Sequence, residues 1–141
     1  MAKSTPQHKS QSAALPWRRR SDGGLEVLLI TSRETRRWVI PKGWPIKGLK
    51  PNASAAQEAF EEAGVVGEVS KAALGVFHYD KKLKTGRTQH VSVAVFGLKV
   101  AEERASWPEM HEREKLWTTP QDAAEKVDEP ELQALLRAFG A

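Results

Sequence analysis

The chain contains no cysteine, so neither a disulfide scaffold nor a thiolate nucleophile is open to it, a composition compatible with the cytoplasm. Long apolar runs are also missing. Stretches such as Val27 to Ile30 fall far short of the roughly 20 residues needed to span a bilayer, and no transmembrane helix is expected. Met1 to Ser12 is polar, carries Lys3, Pro6 and Lys9, and lacks the apolar segment of a secretory signal. No internal repeat is evident, nor any RNA-binding motif with aromatics interleaved among basic residues. We expect a disordered tail over residues 1–11 and a single cytoplasmic domain over residues 12–141, since 141 residues at 40% hydrophobic content suit one core.

What the chain does have is a separation of charge. The net charge of +4 is a mild basic excess, and its distribution says more than its sum. Base gathers in Arg18-Arg19-Arg20, in Arg33 with Arg36-Arg37, and in Lys81-Lys82 with Lys84 and Arg87, all at expected strand ends and loops. Acid gathers in AAQEAFEEAGVVG, as Glu58, Glu61 and Glu62. If residues 54–63 are helical, the i, i+3, i+4 spacing sets the three carboxylates within roughly 100° of arc, with Ala56, Ala59, Phe60 and Ala63 filling the far side. Asn52 and Ser54 are N-cap candidates, and Gly64 is placed to end the helix.

Taken alone, such a stripe is most often a wet helix face. Its context changes the weighing. Like charges at i, i+4 disfavour the helix and ask for a cation or good solvation. Val39-Ile40-Pro41-Lys42-Gly43 reads as a strand entering a glycine turn just upstream. Three hard oxygen ligands on a rigid element match the way Mg²⁺ is held, while arginine and lysine at a rim suit phosphate oxygens.

These residues resemble the Nudix box, G-x5-E-x7-R-E-U-x-E-E-x-G-U, where U is a bulky aliphatic. The chain keeps both gaps. Gly43, Glu58, Glu61, Glu62, Gly64 and Val65 match; Leu49 and Gln57 replace the family's Glu and Arg, and Ala59 is a small U. Losing an acid together with a base leaves no orphan charge. Leu25 to Ile30, Arg33, Arg37 to Gly43 and the segment from Trp107 through Arg113 to Trp117 are similar to the diphosphoinositol polyphosphate phosphohydrolases and diadenosine polyphosphate hydrolases, so the likeness covers most of residues 12–139.

The resemblance implies an α/β fold, an α/β/α sandwich around a mixed β-sheet, and hydrolysis of a diphosphate linkage by metal-activated water. Glu61 and Glu62 would be the main Mg²⁺ or Mn²⁺ ligands, joined by the Lys42 backbone carbonyl, and Glu58 would be a ligand or the general base. Glu102, Glu103, Glu109 and Glu112 are further candidates for the base. Arg33, Arg37, Lys42, Gly43, Arg87 and Lys115 would meet a polyphosphorylated small molecule. Nucleoside triphosphate and RNA 5′-end hydrolysis are alternatives within the enzyme reading. A binding module without turnover is the alternative outside it, motivated by Leu49 and Gln57. No membrane or stable nucleic-acid partner is expected, and the chain would be a monomer or homodimer.

Period-two patterning, best in His90 to Phe96, places strands at residues 12–19, 25–31, 38–40, 74–79 and 90–99. Helices are predicted at 54–63, 120–126 and 129–139, with Pro120 and Pro130 in first turns. Gly23-Gly24 and Lys84-Thr85-Gly86-Arg87 read as turns. Of the tryptophans, Trp17, Trp38, Trp107 and Trp117 are expected to pack, while Trp44, next to Gly43, is expected to line the pocket. His78 and His90 lack partners at metal-ligand spacing and are read as structural, or for His90 as substrate-contacting.

Overall fold

The computed structural model describes residues 8–140. In chain order the elements are β1 (His8–Arg19), β2 (Leu25–Thr31), β3 (Trp38–Val39), β4 (Lys42–Gly43), α1 (Pro51–Ala63), β5 (Val65–Val69), β6 (Gly75–Lys82), β7 (Thr88–Glu103), β8 (Lys115–Thr118), α2 (Pro120–Lys126) and α3 (Pro130–Phe139). All eight strands join one mixed sheet along the path β3-β2-β1-β7-β5, with β4 on β1, β6 on β7 and β8 on β2. Its central seam is parallel, β1 against β7 from His8↔His90 to Trp17↔Lys99. Every other pairing is antiparallel.

Strict alternation sorts the central strands onto two covered faces, as the two-residue repeat of a strand requires. Ala13, Leu15, Val27, Leu29, Val91, Val93 and Val95 point to one face and meet Ala123, Ala124, Leu132 and Leu136 of α2 and α3. Ala14, Leu28, Ile30, Phe96 and Leu98 point to the other and meet Ala55, Ala59 and Ala63 of α1. The result is the α/β/α sandwich that the family resemblance implied.

β1 begins four residues before the expected strand. Residues 1–7 of the expected tail lie outside the described residues, but Lys9, Ser10 and Gln11 are paired with Val91, Ser92 and Val93. Polar composition concealed this strand because its backbone partners, not its own side chains, decide its state. β5 and β8 were not anticipated either.

α1 starts at Pro51, with Lys50 as an N-cap that makes no side-chain cap bond. Asn52 and Ser54 do not cap it. Asn52 Nδ2 donates to the Ser70 carbonyl at 3.2 Å, and the buried Ser54 Oγ accepts from the Ile46 N–H at 3.0 Å, tying the loop after β4 to the helix. Gly64 ends the helix as expected, at φ 70°, with its N–H on the Phe60 carbonyl. Alanines at 55, 59 and 63 let α1 lie close on the sheet, and the buried set also contains Glu62. The acidic stripe is therefore not a wet face. Of the residues expected on the far side from the carboxylates, Ala59 and Ala63 are buried against the sheet, while Ala56 and Phe60 line an apolar groove with Leu49 and Gln57.

Candidate active site

A cleft of about 650 Å³ opens beside the β4–α1 unit. Its floor is acidic. Glu62 is only 7% exposed; its Oε1 accepts from the Lys42 N–H at 3.3 Å, and its Oε2 lies 3.8 Å from the Arg113 guanidinium. Glu58 lines the same cleft beside Glu62. Burial pushes the Glu62 carboxyl up to about 8, the adjoining Glu58 adding to the rise while Arg113 opposes it. Burial likewise raises Glu58, with Glu61 and Glu109 charges adding. Two carboxylates that meet with little water share a proton unless a cation arrives.

Gly43 is what allows Glu58 to sit there. A Cβ at Gly43 would be 2.5 Å from Glu58 Oε2 and 2.7 Å from Oε1, with nothing but the Glu58 side chain among its nearest atoms. The strand pairing Ser12↔Gly43 and Ala13↔Lys42 fixes the backbone on the other side.

Glu61, three residues on from Glu58, does not line the cleft. Its carboxylate accepts from Gln57 Nε2 at 2.7 Å, and its backbone carbonyl accepts from the Glu109 N–H at 3.0 Å. Among the described residues no three His, Cys, Asp or Glu side chains stand together at metal-holding spacing. Gln57, in the box arginine's place, is what keeps the third carboxylate aside.

The rim is basic. Arg33, Arg37, Lys42, Lys81 and Lys82 line the cleft, as the separation of acid from base suggested. Lys42 is lowered by burial, with Arg37 and Lys81 charges adding and Glu62 opposing, and its ammonium stands 4.8 Å over the Tyr79 ring. Trp44 lines the mouth, 39% exposed. The other basic positions lie elsewhere. Arg87 sits in the β6–β7 turn, outside the cleft lining. Lys115 Nζ is on Glu103 Oε1 at 3.3 Å and over the Trp107 ring. Arg18 pairs with Glu26 and Glu103, Arg20 with Asp22 and Glu26, and Arg36 binds Glu114.

Of the four carboxylates considered as bases, Glu102 and Glu103 lie at the end of β7, not in a loop, and the cleft lining contains Glu109 alone. Glu102 pairs with Arg104, Glu103 with Arg18 and Lys115, and Glu112 with Arg33. Trp17 packs on Phe139 and Trp38 on the same core, and Trp117 packs against the other. His78 is held by Glu131 and His90 by Asp80.

Arg113, Tyr79 and Gln11 belong to the site and were not singled out from sequence. Arg113 reaches Glu109 Oε1 at 3.0 Å, the Thr31 carbonyl at 3.1 Å and Glu62. The one local signal was its i, i+4 spacing from Glu109. Tyr79 donates to Gln11 Oε1 at 2.8 Å across the strands, a pairing with no local signal.

A mixed sheet between helical layers, carrying a strand, a glycine loop and an acidic helix beside a cation-rimmed cleft, defines an α/β/α domain with an acidic site. The chain belongs to the Nudix family: the model described as "NUDIX domain" matches residues 9–139. Among curated relatives it is 35% identical over 118 residues to Nudix hydrolase 12, mitochondrial, of Arabidopsis thaliana, covering 82% of this chain and 58% of that protein. It is 34% identical over 120 residues to diphosphoinositol polyphosphate phosphohydrolase 3-alpha of Mus musculus, covering 82% of this chain and 66% of that protein. The chain thus spans less than two thirds of these relatives. The fold is shared with the Ap4A hydrolase of C. elegans, at TM-score 0.67 and 22% identity over 94% of this chain and 96% of that one.

Proposed function

We propose that the protein is a metal-dependent pyrophosphohydrolase that cleaves a diphosphate linkage in a highly phosphorylated small molecule, a diphosphoinositol polyphosphate or a dinucleoside polyphosphate. The observation that carries this reading is the Glu58–Glu62 pair beneath a cleft rimmed by Arg33, Arg37, Lys42, Lys81 and Lys82. Family membership supports the reaction class, and the named activities of the mouse and nematode relatives support the substrate class.

The donor set fits a hard divalent cation. It is made of oxygen, its two carboxylates share a largely buried cleft that raises both, and the missing Cβ of Gly43 leaves the cradle in which Glu58 lies. Glu58, Glu62, the Lys42 carbonyl and, once released from Gln57, Glu61 would hold Mg²⁺ or Mn²⁺. Such a metal supplies a water of lowered pKa and neutralises phosphate charge. The chain's own groups do the rest. Arg113 steadies the ionised Glu62 from below, the rim cations orient the phosphates, and Glu109 is our candidate to take the water proton. Positioning and charge stabilisation of this kind are the main demands of phosphoryl transfer.

The test is phosphate release from diphosphoinositol polyphosphates, diadenosine polyphosphates, nucleoside triphosphates and 5′-triphosphorylated RNA, with Mg²⁺, Mn²⁺ or EDTA. Turnover on either of the first two groups that EDTA abolishes is expected, with Glu62→Gln losing most of it. Metal binding with no turnover across the panel would sink the enzyme reading in favour of a binding module. We also propose a cytoplasmic location, read out with a tagged full chain; two of the Arabidopsis thaliana relatives carry mitochondrial and chloroplastic names.

A further inference from the structure

Arg37 lines the cleft beside Lys42, Lys81 and Tyr79, and its guanidinium is held from behind through one nitrogen. Nη1 donates to Glu129 Oε2 at 2.9 Å and stands 3.7 Å from Asp128. Among the described residues no hydrogen bond engages its Nε or Nη2. Glu129 itself is 7% exposed, and its second oxygen, Oε1, is buried without a hydrogen-bond partner.

That carboxylate is hard to explain as a stabilising group. Glu129 stands at the N-cap of α3, yet its side chain makes no cap bond. A buried ion pair is weak evidence for stability, and an acceptor left unpaired in the interior is destabilising. What Glu129 does accomplish is geometric. It fixes one edge of a planar fork that lines the cleft with its other donors uncommitted, and a guanidinium already fixed surrenders less rotamer freedom on binding.

We propose that Glu129 is a positioning residue: it aims Arg37 so that the remaining guanidinium N–H groups, with the Lys42 and Lys81 ammoniums, form a subsite for a phosphate group of the substrate. This rests on the reading that the cleft takes a polyphosphorylated molecule. Two physical effects make opposite demands. Removing a negative charge beside an anion site tightens binding through the field alone, whereas releasing Arg37 weakens it. Positioning is the claim that the second wins.

The experiment is calorimetric titration of inorganic tripolyphosphate in EDTA, where no metal acts, into the wild type, Glu129→Gln, Arg37→Ala and the double variant, with circular dichroism to check folding. Glu129→Gln, which leaves Arg37 only a neutral amide oxygen as acceptor, is expected to bind about tenfold more weakly, the difference between a hydrogen bond to a charged group and one to a neutral group. The double variant is expected to bind no more weakly than Arg37→Ala. Equal or tighter binding by Glu129→Gln, full additivity in the double variant, or no binding by the wild type overturns the proposal. Should Glu129→Gln not fold, Arg37→Lys decides: it keeps the charge but loses the fork, and wild-type affinity there overturns it equally.

On the best substrate of the panel, with Mg²⁺, Glu129→Gln should raise KM about tenfold while kcat holds. A matching fall in kcat would point to a general structural role and refute positioning. If tripolyphosphate binds as described and no substrate turns over, the hydrolase reading fails and the Glu129 assignment stands.

Discussion

Replacing Gly43 with alanine isolates the placement of Glu58 from every other property of the site. Gly43 is not among the positive-φ glycines, so alanine meets no backbone strain, and the nearest atoms to its new methyl all belong to the Glu58 side chain. Ordinary contact begins near 3.4 Å, whereas Glu58 Oε2 stands at 2.5 Å, so the carboxylate must retreat by about 0.9 Å. β4 cannot yield instead, because Ser12↔Gly43 pairing holds it in the sheet. Moving the end of a flexible side chain off its rotamer costs about 0.5–1.5 kcal/mol, which is a fall of a few degrees in Tm for a domain of this size. The functional loss should be far larger, since about 1 Å of misplacement reduces rate on the order of a hundredfold. Gly43→Ala should therefore stay folded, with Mg²⁺-dependent turnover falling about a hundredfold, and the shorter Glu58→Asp in the same background should recover part of it. Turnover within twofold of wild type would refute the argument, as would a structure of the variant with Glu58 unmoved.

Because the folded Glu62 titrates near 8 and an unfolded carboxylate near 4.5, the metal-free fold binds the extra proton. Its stabilising effect is complete below about pH 4.5 and is lost as pH climbs through 8, at up to about 1.4 kcal/mol per pH unit. Thermal melts in EDTA should decline across that window, Glu62→Gln should flatten the decline, and an unchanged slope would contradict the burial assigned to Glu62. Gly67→Ala should lower stability by about 2 kcal/mol or more, because its Cβ would fall on the Lys99 carbonyl oxygen at the β5–β7 bulge; a melt within a degree of wild type would argue against that bulge. Leu49→Glu with Gln57→Arg should restore the missing pair and free Glu61 from Gln57. A double-mutant cycle on turnover should show each single change worse than the pair, and strict additivity would dismiss the paired loss.

The parts of the fold written in local chemistry could be read directly. β2 and α2 run over the expected residues because alternation in one and Thr119-Pro120 in the other are signals carried by neighbours in sequence. β5 and β8 are five- and four-residue strands whose state comes from distant partners in β7 and β2. In the site, box spacing brought Gly43 and Glu58 together correctly. It did not show that Glu62 is buried, which follows from how closely three alanines let α1 approach the sheet. Nor did it show that Gln57 draws Glu61 aside, a side-chain choice that spacing cannot express. Arg113 and Glu129 arrive from loop and helix ends some 50 and more residues downstream of the box, so only tertiary packing gives them their roles.

The parallel seam between β1 and β7 also sets a schedule for folding. Ser10 and Ser92, adjacent across that seam, are separated by 82 positions in the chain, so β1 finds this partner only after most of the domain has been made. Until then β1 has only its antiparallel pairings with β2 and β4 and the cover of α1 on one face, and its other face stays open. Long-range closure of this kind is intrinsically slow and leaves strand edges open to other chains meanwhile. Yield on expression should therefore respond more to synthesis speed and chaperone supply than the stability of the finished protein would suggest.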